Sequence, residues 1–335
     1  MTPTLFSITT DFRPHHLLRS GHAQTIVAAL WGGTKKIPYA AAGHTIDTTL
    51  GDRLVLHDDC PGTWQPGQMC ALLVHGLGGC HGSPYMVRIA HKLNARGVRT
   101  FRMDQRGCGA GYHLASKPGH AGRSEDVAAA VSFVAQQCAH SPIVLVGFSL
   151  GANLVLKLLG EWGSSPPSQV IRAMAVAPPI DLLACSRNME RRRMSVYNRW
   201  FVRSLIQQTQ ARREFVSELD QLDWTTLPRT LFEFDDRVTA PLSGFAGAVD
   251  YYSRSSSSER LVDICVPTLI VAAADDPIIP AQMFENLRCS PTTSFHITRH
   301  GGHVGYIGCH GPDPDRFWLD WRVVDFVLDR SVGSD

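Results

Sequence analysis

The sequence predicts an α/β fold: a mostly parallel central sheet flanked by helices, with a mainly helical cap inserted late in the chain. Three observations carry this. Short, continuously apolar runs recur at Ala71 to Val74, Ile143 to Val146, Ala173 to Ala177 and Thr268 to Ala274, the character of strands buried on both faces. Between the early runs lie helix-like stretches of crossover length, Met86 to Arg96, Glu125 to Gln137 and Ala152 to Leu159. From about Ile180 to Val262 the alternation stops, giving way to Arg-rich and aromatic helical patterns and then the polar run Ser255 to Ser258.

In chain order, Thr45 to Leu50 and Arg53 to His57 flank Gly51-Asp52 and read as an antiparallel hairpin entering the sheet. Val98 to Met103 is a more mixed strand candidate. Val266-Pro267 followed by Thr268 to Ala274 restarts the strand pattern after the excursion, and Phe317 to Leu328 offers a closing amphipathic helix with Trp318, Trp321 and Val324 on its packing face. The expected division is a core of residues 1–180 and 263–335 around a cap of residues 181–262. No repeat of fixed period is present, which argues against a solenoid or propeller.

At 335 residues, 44% hydrophobic and 19% charged, the chain has ample material for a packed interior. A net charge of +2 gives no general electrostatic reason to expect a nucleic-acid partner, and none is expected. The first thirty residues carry Asp11, Arg13, His15, His16 and Arg19 through their middle, unlike a signal peptide, and no run approaches the about 20 apolar residues of a membrane span. The 9 cysteines are scattered and never form C-x-x-C, so they read as reduced thiols of a cytoplasmic protein and disfavour a structural zinc site.

Gly147-Phe148-Ser149-Leu150-Gly151 sits between an apolar strand and a helix. Glycines two residues either side of the serine allow a sharp elbow that lifts its hydroxyl out of the sheet. A serine hydroxyl needs a base within hydrogen-bond reach and a group that fixes that base's tautomer. The tail supplies Asp275-Asp276-Pro277 after a strand and then His300-Gly301-Gly302-His303, in the order nucleophile, acid, histidine. Ser149, Asp276 and His303 are therefore the expected catalytic set. Asp276 is preferred to Asp275 because the acid belongs where the strand has ended and the loop has turned; His300 is the alternative to His303.

His75-Gly76-Leu77-Gly78-Gly79 ends another strand, where backbone N–H groups can face a substrate oxygen. The expected oxyanion donors are the amides of Leu77 and Leu150, with His75 a structural part of the turn. Asp104-Gln105-Arg106-Gly107 lacks the spacing of a nucleotide-binding glycine loop, and Asp104 and Arg106 read as a structural pair beneath the site. His300, His303, Cys309 and His310 match no familiar zinc spacing. Neither metal nor organic cofactor is expected.

With these residues in view, the chain resembles the α/β-hydrolase family, and more closely its YheT-like esterase and lipase branch. The resemblance spans His22-Ala23-Gln24-Thr25-Ile26, the loops at His75 and Asp104, the Ser149 elbow extended by Ala152-Asn153, Asp275-Asp276-Pro277, and, in the cap, Glu233-Phe234-Asp235 and Asp250-Tyr251-Tyr252. It implies hydrolysis of carboxylic esters, with a small acyl ester or acylglycerol-like molecule as substrate. Transfer of the acyl group to an alcohol uses the same triad and is the alternative; a non-catalytic ligand-binding relative is the reading from another class. Asp235-Asp236-Arg237, with its doubled acid, departs from the family pattern.

The first part of the cap crowds Arg187, Arg191, Arg192, Arg193, Arg199 and Arg203 beside Met189, Met194, Tyr197, Trp200 and Phe201. Weak peripheral contact with a membrane surface is one reading. The preferred one is a solvated arginine face over an apolar packing face.

Overall fold

The structure, a computed structural model, describes residues 6, 8, 10–34, 37–38, 41–48 and 51–329. An opening helix, α1 (Gly21–Leu30), precedes the hairpin strands β1 (Ala42–Asp47) and β2 (Arg53–Asp59). Alternation then runs β3 (Cys70–Val74), α2 (Pro84–Asn94), β4 (Arg99–Asp104), α3 (Ser124–Gln137), β5 (Ile143–Phe148), α4 (Leu150–Trp162) and β6 (Val170–Val176). After a helical excursion of five helices come β7 (Thr268–Ala273), β8 (Thr293–Thr298) and the closing helix α10 (Trp318–Val327).

The eight strands form one sheet in the order β1-β2-β4-β3-β5-β6-β7-β8. Only the β1–β2 and β2–β4 pairings are antiparallel. Strands β3, β5 and β7 are buried along their whole length, which is why they read as unbroken apolar runs rather than as alternation. Helix α4 is buried at ten consecutive positions from Gly151 to Gly160, because α3 covers it on one side and the Ser258–Asp263 turn on another. Each Leu or Val so placed contributes roughly 1.5–3 kcal/mol through burial.

The hairpin differs from its sequence reading. The described pairing ends where Asp47 meets Arg53, and beyond it the Thr48 N–H donates to the Asp52 carbonyl at 2.8 Å. Thr49 and Leu50, expected in the first strand, lie outside the described residues. The connection is held because the Asp52 carboxylate, itself buried, accepts from the amide and hydroxyl of Ser116 and pairs with Arg106.

The excursion comprises α5 (Leu182–Met189), α6 (Ser195–Ala211), α7 (Leu231–Phe234), a π-helical turn at Asp235–Thr239, α8 (Ala240–Leu242) and α9 (Ala248–Ser255). It has small apolar centres of its own, one of Val202, Ile206, Phe234 and Val238 and another around Leu182, Tyr251 and Tyr252. All six arginines of its first part are exposed, whereas Met189 and Met194 are buried; Trp200 is exposed as well. Among the described residues no helix is long and apolar enough to cross a membrane.

Candidate active site

Register places the site. Parallel pairing of Val74 with Gly147, Val176 with Val271 and Ala273 with Thr298 brings the loops after β3, β5, β6, β7 and β8 to one edge of the sheet, the carboxyl edge where open α/β sheets bind ligands. At its centre Ser149 has φ 51° and ψ −119°, a conformation that L residues seldom adopt and that costs on the order of 1–3 kcal/mol. A Cβ at Gly147 would collide with Gly151 and Ala152, and one at Gly151 with the carbonyls of Val74 and His75. Both glycines are thus required by close backbone approach, and the Ser149 N–H is fixed on the Val176 carbonyl at 2.8 Å.

His303 Nε2 lies 2.8 Å from Ser149 Oγ, and His303 Nδ1 lies 2.9 Å from Asp276 Oδ2. With Nδ1–H donating to the carboxylate, Nε2 is left to accept the serine proton. Asp276 is held in turn, its Oδ1 accepting from the amides of Ile278 at 2.8 Å and Ile279 at 3.0 Å. Asp275 is engaged elsewhere: it accepts from the Gly302 amide at 2.9 Å and lies 3.3 Å from His300 Nδ1. The two adjacent acids therefore serve different histidines, one beside the serine and one bracing the loop.

Leu77 and Leu150 line one cavity with Ser149. Gly76 passes so close that a Cβ there would stand 3.0 Å from the Ser149 Cβ. Leu150 opens α4, so its N–H has no partner within the helix, and neither the Leu77 nor the Leu150 amide meets an acceptor among the described residues. His75 is locked beneath this loop. Its Nδ1 donates to the Gly76 carbonyl at 2.8 Å while its Nε2 accepts from the Gln105 amide at 3.2 Å, and burial lowers its pKa.

The brace behind His303 carried no assigned role in the sequence. Thr25 Oγ1 accepts from the His303 amide at 2.8 Å and donates to the Gly21 carbonyl at 2.8 Å. Gln24, fully buried, accepts from the Ile307 amide and donates to the carbonyls of Leu18 and Ile307. The His22 to Ile26 segment of the family resemblance is the signal that marked them.

Asp104 and Arg106 do not brace the site as a mutual pair. Asp104 receives His57 Nε2 at 2.9 Å and His81 Nδ1 at 2.8 Å, whereas Arg106 engages Asp52 and Asp126. His57, His81 and Asp104 come within 4.8 Å of one another as possible metal ligands, but the carboxylate is already filled by these rings and by the amides of His81 and Ala110. Of the tail residues, Cys309 Sγ lies 3.2 Å from the Pro14 carbonyl, and His303 is taken up by Ser149 and Asp276.

The doubled acid of the excursion splits in two directions. Asp236 Oδ1 accepts from the Ala248 amide at 2.8 Å at the start of α9. Asp235 turns into the cavity, where the Tyr252 and Thr239 hydroxyls each donate to it at 2.7 Å and burial pushes its pKa up to about 6. A raised carboxyl pKa means the folded chain holds this proton more tightly than the unfolded chain. Its stabilising contribution is full below pH 3.8 and is lost as pH rises through about 6, a difference of roughly 3 kcal/mol. In Asp235→Asn, melting temperatures measured from pH 4 to 7 should lose that component of the slope; a slope equal to wild type would refute the assignment.

A family profile described as alpha/beta hydrolase fold matches residues 72–308. "Putative esterase YheT" of Escherichia coli is 31% identical, over 96% of this chain and 94% of its own. "Phospholipase ABHD3" of Mus musculus is 28% identical over 70% of this chain and 58% of its own length. Among solved structures, the esterase Pf2001 of Pyrococcus furiosus superposes with a TM-score of 0.56 at 16% identity, covering 90% of this chain and 94% of that one, a likeness of fold. Profile match, sheet order and near full-length similarity agree: the chain belongs to the α/β-hydrolase fold family.

Proposed function

We propose that the chain is a serine hydrolase of carboxylic esters. The observation that carries this is the unbroken line from Asp276 through His303 to Ser149 on a strained elbow at the sheet's carboxyl edge. Ser149 Oγ attacks the ester carbonyl carbon as its proton passes to His303 Nε2. The tetrahedral oxyanion is received by the Leu77 and Leu150 amides, and one such donor is worth about 3 kcal/mol of barrier. His303 returns the proton to the departing alkoxide, leaving an acyl-enzyme. Water then gives up a proton to the same nitrogen as it attacks the acyl carbon, and when the carbon–Oγ bond breaks His303 passes that proton to Ser149 Oγ, which releases the acid and restores the hydroxyl. Asp276 holds the ring in the competent tautomer and stabilises the imidazolium; the buried carboxylate is well placed for this, its side chain 1% exposed.

Residues 181–262 act in this reading as a cap that shapes the acyl cavity. Phe201, Leu205, Phe234 and Tyr252 line that cavity together with Ser149, which suits a small acyl ester. The similar proteins named above, a putative esterase and a phospholipase, support the same reaction class. The test is a series of 4-nitrophenyl esters from acetate to laurate, run beside a fluorophosphonate probe. Turnover with an optimum chain length, together with covalent labelling, is the expected result. Neither turnover nor labelling in the wild type would overturn the proposal.

A further inference from the structure

Seven arginines are buried among the described residues: Arg88, Arg102, Arg106, Arg123, Arg172, Arg212 and Arg322. Six have a carboxylate within salt-bridge distance, on Asp320, Asp59, Asp52 and Asp126, Glu125, Asp329, and Asp313 and Asp325 respectively. Arg212, 7% exposed at the end of α6, has none among the described residues. Its guanidinium is held by neutral carbonyls: Nε donates to Tyr112 at 3.0 Å, and Nη2 to Ala115 at 2.5 Å and to Lys117 at 3.3 Å. Of the two groups whose charge would reach it, Cys108 is kept a neutral thiol because burial raises its pKa, and Asp52 is already paired with Arg106.

Leaving a cation desolvated without an anion is costly, and a guanidinium stays charged at neutral pH. The uncompensated group also faces the right place. Arg212 and Gly107 line the cavity that holds Ser149 and Leu77. At Gly107 (φ 70°) a Cβ would stand 2.6 Å from Nη1, so only glycine leaves that nitrogen uncovered. Nη1 meets no acceptor among the described residues. The other ionisable groups there are satisfied: Arg106 by two acids, Asp235 by two hydroxyls, and His120 by a neutral state that burial enforces, its pKa pushed down to about 3.

We infer that Arg212 is an anion-recognition subsite, so that the ester accepted by the Ser149 cavity carries a carboxylate or phosphate oxyanion away from its scissile carbonyl. This rests on the ester-hydrolase reading and narrows its substrate class. A planar guanidinium anchored on one edge by carbonyls presents its other edge for charge-assisted hydrogen bonds to such an oxyanion.

The test compares charged and neutral esters at fixed ionic strength. One pair is the 4-nitrophenyl monoester of adipic acid against its methyl-capped form, with the anion on the acyl side. The other is butyryl glycerol phosphate against butyrylglycerol, with the anion on the alcohol side. Wild type should favour the charged member of one pair at least ten-fold in kcat/KM, and the responding pair identifies the source of the oxyanion. Arg212→Met should erase the preference and Arg212→Lys keep part of it. Thr209→Glu, one turn earlier on α6 and also in the cavity wall, supplies the missing carboxylate without removing the carbonyl clamp and should cancel it too. If Arg212→Met does not fold, Thr209→Glu decides. No charge preference in wild type, or one that survives Thr209→Glu, overturns the inference. If no ester of either pair is cleaved, the 4-nitrophenyl series and the fluorophosphonate probe decide the hydrolase reading separately, and calorimetric binding of adipate and glycerol phosphate by wild type and Thr209→Glu tests the subsite; no binding by wild type, or binding unchanged in Thr209→Glu, overturns it.

Discussion

Ser149→Ala is expected to lower kcat on any ester the wild type accepts by about 10⁶-fold. The size follows from the proposed mechanism, in which no acyl-enzyme forms without Oγ and His303 and the amides of Leu77 and Leu150 can only assist direct attack by water. Fluorophosphonate labelling should vanish in the same variant. Because serine and histidine act as one unit, Ser149→Ala combined with His303→Ala should be hardly worse than Ser149→Ala alone. The backbone should hold its shape, since the elbow is imposed by the close approaches at Gly147 and Gly151 and by the Ser149 amide bond to Val176, none of which needs the hydroxyl. Unchanged circular dichroism with lost turnover is therefore the expected pairing. A variant that retained more than about one hundredth of wild-type kcat would place the nucleophile elsewhere.

That prediction could be framed from the sequence because the elbow is local. Strand, glycine, serine, glycine and helix follow one another within twenty residues, and continuous apolar runs give away strands covered on both faces. The readings that needed correction are those that turn on distant partners. Asp104 and Arg106 are two residues apart and of opposite charge, which invites a pair, yet Asp104 ends β4 and meets His57 on the neighbouring strand while Arg106 lies past the strand and reaches Asp52 and Asp126. The antiparallel hairpin is present, and its turn is shaped by a distant partner too. Gly51-Asp52 resembles a two-residue turn, but the Asp52 side chain is drawn into the Arg106 and Ser116 network and the described pairing ends at Asp47 and Arg53. The Thr25 support of His303 spans 278 positions, and Arg212 is notable for what does not stand beside it. No spacing rule reports either.

The choice between the two adjacent acids tests whether geometry or mere proximity in sequence sets the triad. Asp276→Asn should reduce kcat by about 10⁴-fold with little change in KM, since an amide beside Nδ1 favours the wrong imidazole tautomer and cannot stabilise the imidazolium. The side chain's oxygen can still accept from the Ile278 and Ile279 amides, so the loop should persist and the loss should fall on the chemical step. Asp275→Asn keeps an acceptor for the Gly302 amide and weakens only the contact with His300; a loss within about ten-fold is expected, most of it through small displacements of the His303 loop. Steady-state kinetics of the two variants on one 4-nitrophenyl ester measure both effects. The reverse order, with Asp275→Asn inactive and Asp276→Asn active, would mean that the loop after β7 rearranges in the working enzyme and that Asp276 is a structural acid holding two amides.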